Sequence, residues 1–295
     1  MVDSAHGGIV PPVPLLGIPN VSEGRDGALI ARFSSVISKT GVAVLDIHSD
    51  LTHQRTVFTT TGEPSALVEG MTALADACRS IDLRHHDGVH PRLGGLDVCP
   101  IVPLRDEMTA ATDVARQIAT AIGELGLPVF LYGEAARREE TRDLPSLRRG
   151  GLDALVERIQ SGLVPDAGPV EIDAATGVVC VGARGPLIAF NVVLDATLED
   201  ARAIVPEIRV PGAILALALP SPAGAQVSMN LVDPGRLGID QVFARVSSAA
   251  GARGVSVVST EIVGLPEARF LPDPDAQAAR LLIEPGRSVE TALAT

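Results

Sequence analysis

Val42-Ala43-Val44-Leu45-Asp46-Ile47 and Arg55-Thr56-Val57-Phe58-Thr59-Thr60-Thr61 decide the fold. Both stretches are short and rich in β-branched residues, and a polar connection separates them. The second alternates Val57, Thr59 and Thr61 against Phe58 and Thr60, which is the period of two of a strand. Outward from this pair, apolar residues recur with helical spacing from Asp26 to Lys39, with Asp26 as the N-cap, and again from Ser65 to Arg79. Strands at Val13 to Ile18 and Leu96 to Val102 enclose the whole. The order is β-α-β-β-α-β, the ferredoxin-like or split βαβ arrangement.

Further along, a helix from Thr109 to Leu125 stops at Gly126 and leads into a strand at Val129 to Tyr132. An Arg-rich helical stretch, Gly133 to Gln160, carries breaks at Pro145 and at Gly150-Gly151. Val164 to Gly177, with Pro165, Gly168, Pro169 and Gly177, is a linker by composition. Beyond it the same order returns. Strands at Val178 to Val181 and Leu187 to Val193 precede a helix at Leu198 to Ile208, strands at Ala213 to Leu219 and Val227 to Leu231, a helix at Ile239 to Ala250 and a strand at Val255 to Val263. The expected architecture is an α/β chain, an α+β sandwich of two ferredoxin-like βαββαβ subdomains at residues 1–177 and 178–295. The cleft between them is the expected ligand site.

The composition excludes several function classes. Of 295 residues, 46% are hydrophobic and 20% charged, which supplies a substantial core and rules out global disorder. The formal charge of −12 and a set of aromatics limited to six Phe and one Tyr leave neither the cations nor the stacking platforms of a nucleic-acid binder. Lys39 is the sole lysine, and Phe33 and Ser38 stand where a phosphate loop ending in Lys39-Thr40 requires glycines. Cys78, Cys99 and Cys180 are odd in number and widely spaced, with no disulfide framework. Met1 to Leu16 holds no basic residue for a targeting signal, and Pro211, Pro220 and Pro222 interrupt the longest uncharged stretch, Val210 to Val232. A cytoplasmic protein with no membrane association is expected.

Chemistry concentrates in the first half. His48, His53, His85, His86 and His90 lie there, and only His6 lies apart. Gly88 and Pro91 break any helix across His85 to Arg92, so His86 and His90 are not a helical metal pair, and no metal site is expected. An imidazole near its ordinary pKa of about 6.5 is the natural general base near neutral pH. Tyr132-Gly133-Glu134 closes a strand with a phenol and a carboxylate. Arg55 begins a strand and presents a planar fork suited to a substrate carboxylate.

Four stretches together resemble a known family: Gly17 to Arg25; the His86 to Val98 segment with its Gly-Val-His-Pro-Arg-Leu-Gly-Gly-Leu-Asp-Val core; Leu131 to Arg137; and Gly182-Ala183-Arg184 followed by Leu187 to Asn191. The chain is similar to the formiminotransferases over about Leu16 to Leu271, including Gln226 to Leu231 and Glu261 to Leu265. The resemblance covers the transferase half alone, without the cyclodeaminase to which it is fused in animals.

This resemblance implies transfer of a formimino group from N-formiminoglutamate to N5 of tetrahydrofolate, a co-substrate bound in a channel between two α/β subdomains. It places the catalytic base at His90 and folate contacts at Gly168, Pro169, Gly177, Tyr132, Asp46 and His48. Arg55 and Arg92 become the substrate ligands. It also implies a homodimer with small-molecule partners only. Three departures stand out: His48 replaces an acidic residue of some members, Gln54 replaces the usual Asn, and only Gly168, Pro169 and Gly177 of the linker keep the animal pattern. They leave room for the same chemistry with another donor or acceptor, such as formiminoglycine or a biosynthetic amine, or for a folate-binding protein without turnover.

Overall fold

The computed structural model describes residues 15–104, 108–273 and 286–295. Strands β1 (Leu15–Gly17) and β2 (Asn20–Val21) are two pieces of the expected first strand, whose start at Val13 lies outside the described residues. Pro19 has no N–H, and the ladder passes around it. Ile18 N–H donates to the Pro100 carbonyl at 2.9 Å, and Phe58 N–H donates to the Pro19 carbonyl at 3.0 Å. Helix α1 (Gly27–Ser38) starts where the Asp26 carboxylate accepts from the N–H groups of Ala28 and Leu29 at 2.9 and 3.0 Å. It buries Ile30, Phe33 and Ile37, a single stripe. Strands β3 (Ala43–Asp50) and β4 (Arg55–Gly62), helix α2 (Pro64–Ala77) and strand β5 (Leu96–Pro103) complete the first unit. Strands β1 and β2 lie between β4 and β5, β3 lies outside β4, and every pairing is antiparallel.

Helix α3 (Met108–Glu124) then lays Val114, Ile118 and Ile122 into the core shared with α1 and α2. Strand β6 (Val129–Gly133) is followed by helices α4 (Glu139–Arg142), α5 (Leu144–Arg148) and α6 (Gly151–Gln160) and by strand β7 (Val179–Ala183). Pro145, expected as a break, sits in the first turn of α5, where a missing N–H leaves no bond unmade.

Strand β7 pairs in parallel with β5 on one side and β6 on the other, so it belongs to the first sheet, and sheet membership changes between Ala183 and Ile188. Parallel neighbours need a long crossover, and α4 to α6 supply it. The linker is the return limb of that crossover, held by Gly95 N–H to the Thr176 carbonyl at 3.0 Å and by Val178 N–H to the Leu93 carbonyl at 2.9 Å. Gly177 has φ +69° there, and a β-carbon on it would stand 2.0 Å from the Leu93 carbonyl oxygen.

The second sheet has its own β-α-β-β-α-β order: β8 (Ile188–Asp195), α7 (Leu198–Ile208), β9 (Ile214–Ser221), β10 (Gly224–Leu231), α8 (Ile239–Gly251) and β11 (Ser256–Val263). Its strands run β11-β8-β10-β9, all antiparallel, the spatial order seen around β1 and β2. A reciprocal Thr197 and Asp200 capping box starts α7. Alternation sorts the two faces. Val227, Met229 and Leu231 of β10 join the core under α7 and α8, whereas Gln226, Ser228 and Asn230 face the first sheet. The chain is thus of the α/β class, with helices outside and two sheets facing one another. Among the described residues, no helix is long and apolar enough to cross a membrane.

Candidate active site

A cavity of about 160 Å³ lies between the sheets. Strands β2, β4 and β6 of the first sheet contribute Asn20, Arg55 and Tyr132, and strands β8 and β10 of the second contribute Asn191, Ser228 and Asn230. His53 comes from the β3–β4 turn, His90 from the loop before β5, Arg148 from the end of α5 and Arg184 from just beyond β7.

Beneath this wall lies Asp97, a carboxylate with 0% exposure in an otherwise apolar strand. One oxygen accepts from Leu93 N–H at 2.8 Å. The other accepts from Arg55 Nη1 at 2.6 Å and from Arg148 Nη2. Burial alone would raise its pKa, but Arg148 and Arg55 outweigh that and hold the carboxyl below the usual range. Arg55 is fixed further, because its Nε and Nη2 donate to Asn20 Oδ1 at 3.1 and 2.9 Å.

His90 is half-buried at the cavity wall. Its Nδ1 lies 2.9 Å from the Pro91 carbonyl oxygen, which can only accept. The proton therefore belongs on Nδ1, leaving the Nε2 lone pair to receive another. Burial first, then Arg55 and Arg148, push the imidazole pKa well below its ordinary value, so at neutral pH the ring is the free base. Its loop is pinned by Arg92, which donates from Nε to the His90 carbonyl at 3.1 Å and from Nη2 to the carbonyls of Gly88 and His53 at 2.6 and 3.3 Å.

The histidine cluster resolves into separate tasks. His53, 7% exposed, lies 3.1 Å from Gln226 of the facing sheet, with its ring 5.7 Å from that of His90. Burial lowers its pKa, partly opposed by Asp50. His86 accepts from Gly88 N–H at Nδ1 (3.2 Å), and its Nε2 meets the carbonyls of Ser22 and Gln54 at 3.1 and 3.2 Å and Arg92 Nη1 at 2.5 Å, which makes the ring a staple for the loop. His85 stands in solvent beside Asp82. His48 donates from Nε2 to Glu261 at 3.0 Å in a second cavity. Among the described residues, no three His, Cys, Asp or Glu side chains converge as a metal group. The three cysteines are buried, and burial pushes the Cys99 and Cys180 thiols up to about 12, far from the thiolate a nucleophile needs. Tyr132 lies across β7 where Gly182 has no side chain, because a β-carbon there would stand 2.5 Å from its ring. Burial raises its phenol pKa, so it stays protonated.

Residues 15–184 match the formiminotransferase domain, N-terminal subdomain, and the match ends one residue beyond β7. The chain is 37% identical over 268 residues to the glutamate formimidoyltransferase of Streptococcus pyogenes serotype M1, covering 87% of this chain and 90% of that one. The chain belongs to the formiminotransferase family. A glutamate formimidoyltransferase of Thermoplasma acidophilum is 37% identical over 262 residues, covering 84% of this chain and 86% of its own. Against the formimidoyltransferase-cyclodeaminase of Sus scrofa, 37% identical over 276 residues, this family member spans only 50% of the longer chain.

The residues that the family resemblance singled out do not all meet. His90, Arg55 and Tyr132 share the cavity. Arg92 lines neither cavity and serves the His90 loop instead. His48 lines the second cavity, and Asp46 accepts from Arg287 at 2.8 Å beside it. Gly168, Pro169 and Gly177 line neither cavity; in the crossover Gly168 packs against Leu127 and Gly177 against Leu93. The sequence reading did not single out Asn20, Asp97, Asn191, Arg148 or Arg184 as site residues. Asp97 carried a signal, since a lone acid inside Leu96 to Val102 must be paired when buried. Gln54, where the family usually has Asn, has φ +48°, a left-handed conformation that Asn tolerates better.

Proposed function

We propose that the chain transfers the formimino group of N-formimino-L-glutamate to N5 of tetrahydrofolate in the cleft between two ferredoxin-like subdomains, giving glutamate and 5-formiminotetrahydrofolate. Two relatives named glutamate formimidoyltransferase, matched over most of their length, support the reaction. The observation that carries the reading is His90, a neutral imidazole with Nδ1 committed to Pro91 and Nε2 available to the cavity. In the proposed step, N5 attacks the amidine carbon, and the N5 proton passes to His90 Nε2. The imidazolium then protonates the glutamate nitrogen as its bond to carbon breaks, so the base is restored. Without proton removal the adduct reverts to reactants.

Tyr132, as a neutral phenol, and the Asp46 and His48 region are the proposed folate contacts from the first sheet, and Arg55 a donor contact. The linker at Gly168, Pro169 and Gly177 reaches folate in this reading only through its backbone. The small-molecule partners are formiminoglutamate and tetrahydrofolate, and the protein acts as a cytoplasmic homodimer. His90→Ala is expected to lower kcat by about 10²- to 10⁴-fold, the usual contribution of a positioned base, with tetrahydrofolate affinity unchanged. Unchanged kcat refutes the assignment. The replacement of an acid by His48 favours a second reading, the same chemistry with a donor such as formiminoglycine, and a donor panel separates the two. Folate binding with no turnover on any donor leaves a folate-binding protein.

A further inference from the structure

The chain carries 36 acidic against 24 basic residues, yet the residues lining the His90 cavity include Arg55, Arg148 and Arg184 and not one Asp or Glu. Behind them Asp97 is shared between Arg55 and Arg148, and among the described residues Arg184 has no ion-pair partner. Three guanidiniums against one carboxylate leave 3 − 1 = +2 in a sheltered wall. The local excess opposes the sign of the whole molecule.

The arginines are not equivalent. Arg55 commits three of its five N–H groups to Asn20 and Asp97. Arg148 is held by Asp97 through Nη2, and its Nε is buried with no hydrogen-bond partner. A buried N–H of a cation without an acceptor is costly and calls for one to arrive. Arg184 reaches the same space, donates to the Gly185 carbonyl at 2.9 Å and lies against the Tyr132 phenol.

We propose that Arg148 and Arg184, braced by Arg55 and Asp97, form a carboxylate subsite that seats the formimino donor beside His90. The proposal rests on the reading of the cleft as the transfer site. Guanidinium forks match carboxylate oxygens in one plane, and Asn191 and Ser228 on the facing sheet offer polar contacts to the rest of a small amino-acid derivative. The same chemistry exists in the glutamyl tail of folate, so the test separates the two sources.

Calorimetry on the full chain with glutarate and with butyrate probes the subsite without turnover. Wild type is expected to bind the dicarboxylate at least tenfold more tightly. Arg148→Met is expected to weaken glutarate on the order of 10²-fold, as for truncating one partner of a buried charge pair, and Arg148→Lys to recover part of the loss. Arg184→Met gives a second handle that leaves the Asp97 pairs intact. In steady-state assays the Met variants are expected to raise KM for formiminoglutamate by a similar factor while KM for tetrahydrofolate stays within about twofold. Equal affinity for glutarate and butyrate in wild type overturns the subsite. A KM change for tetrahydrofolate rather than for the donor overturns the seating of the donor and gives the wall to the folyl tail. Selective glutarate binding by a wild type that does not turn over formiminoglutamate sinks the transferase reading and leaves the subsite standing.

Discussion

Two cavities lie between the sheets, share Ile262 and Gly264 as walls, and differ in how their charges are satisfied. The larger, about 430 Å³, holds His48, Asp50, Glu261 and Arg287, and its ions are answered within the fold. Glu261 meets His48 at 3.0 Å and Asn191 at 2.9 Å, and Arg287 meets Asp46 at 2.8 Å. The smaller carries an excess of positive charge that the fold leaves open, together with the free-base histidine. Size is therefore a poor guide to chemistry here. The larger cavity is a polar seam between the two sheets, and the smaller one sets a positive excess beside a neutral imidazole.

The sharpest way to break this contrast is to remove Asp97, the carboxylate on which the smaller cavity is built. Asp97→Asn leaves Arg55 and Arg148 facing one another without the buried countercharge and is expected to cost about 3–5 kcal/mol of unfolding free energy in denaturant melts. A loss below about 1 kcal/mol would mean that the pair is no more than a surface contact.

A smaller effect sharpens the link between arginines and base. Arg55 and Arg148 lower the His90 pKa on top of burial, and Asp97 opposes them. Removing Arg148 therefore favours the imidazolium and raises that pKa. The acid limb of kcat/KM, which reports the free base, is expected to move to higher pH in Arg148→Met. A limb that stays in place or moves down would separate Arg148 from the base.

The smallest effect belongs to the seam. The His48 hydrogen bond, opposed by burial and aided by Asn191, lowers the Glu261 pKa. A depressed carboxylate stabilises above its unfolded pKa and loses that contribution as pH falls through the folded one. Because the side chain is about a third exposed, at 35%, Glu261→Gln is expected to cost about 0.5–1 kcal/mol at neutral pH and nothing in acid, with kcat unchanged. A large fall in kcat would move the chemistry into the larger cavity.

Much of the architecture was legible in the sequence, because periodicity and caps are local. Helix α7 falls at Leu198–Ile208 as read, and Asp26 caps α1 as its position implied. The alternation in Gln226-Val227-Ser228-Met229-Asn230-Leu231 already separated a core face from a polar one. The His90 loop was legible for the same reason, since Gly88 and Pro91 forbid a helix there.

By itself, then, the sequence determined which segments are strands and helices, which face of each is apolar, and that His86 and His90 lie in a loop. The tertiary structure decided the rest. Membership of β7 in the first sheet depends on a parallel crossover that looks like a linker by composition. Asp97 finds Arg55 and Arg148 from 42 and 51 residues away, and His53 finds Gln226 from 173 away on the other sheet. Local period says that a polar side chain points off a strand, but not what it meets there. Its partner is set by the packing of two sheets face to face, and that packing turns scattered arginines in an acidic chain into one cationic wall.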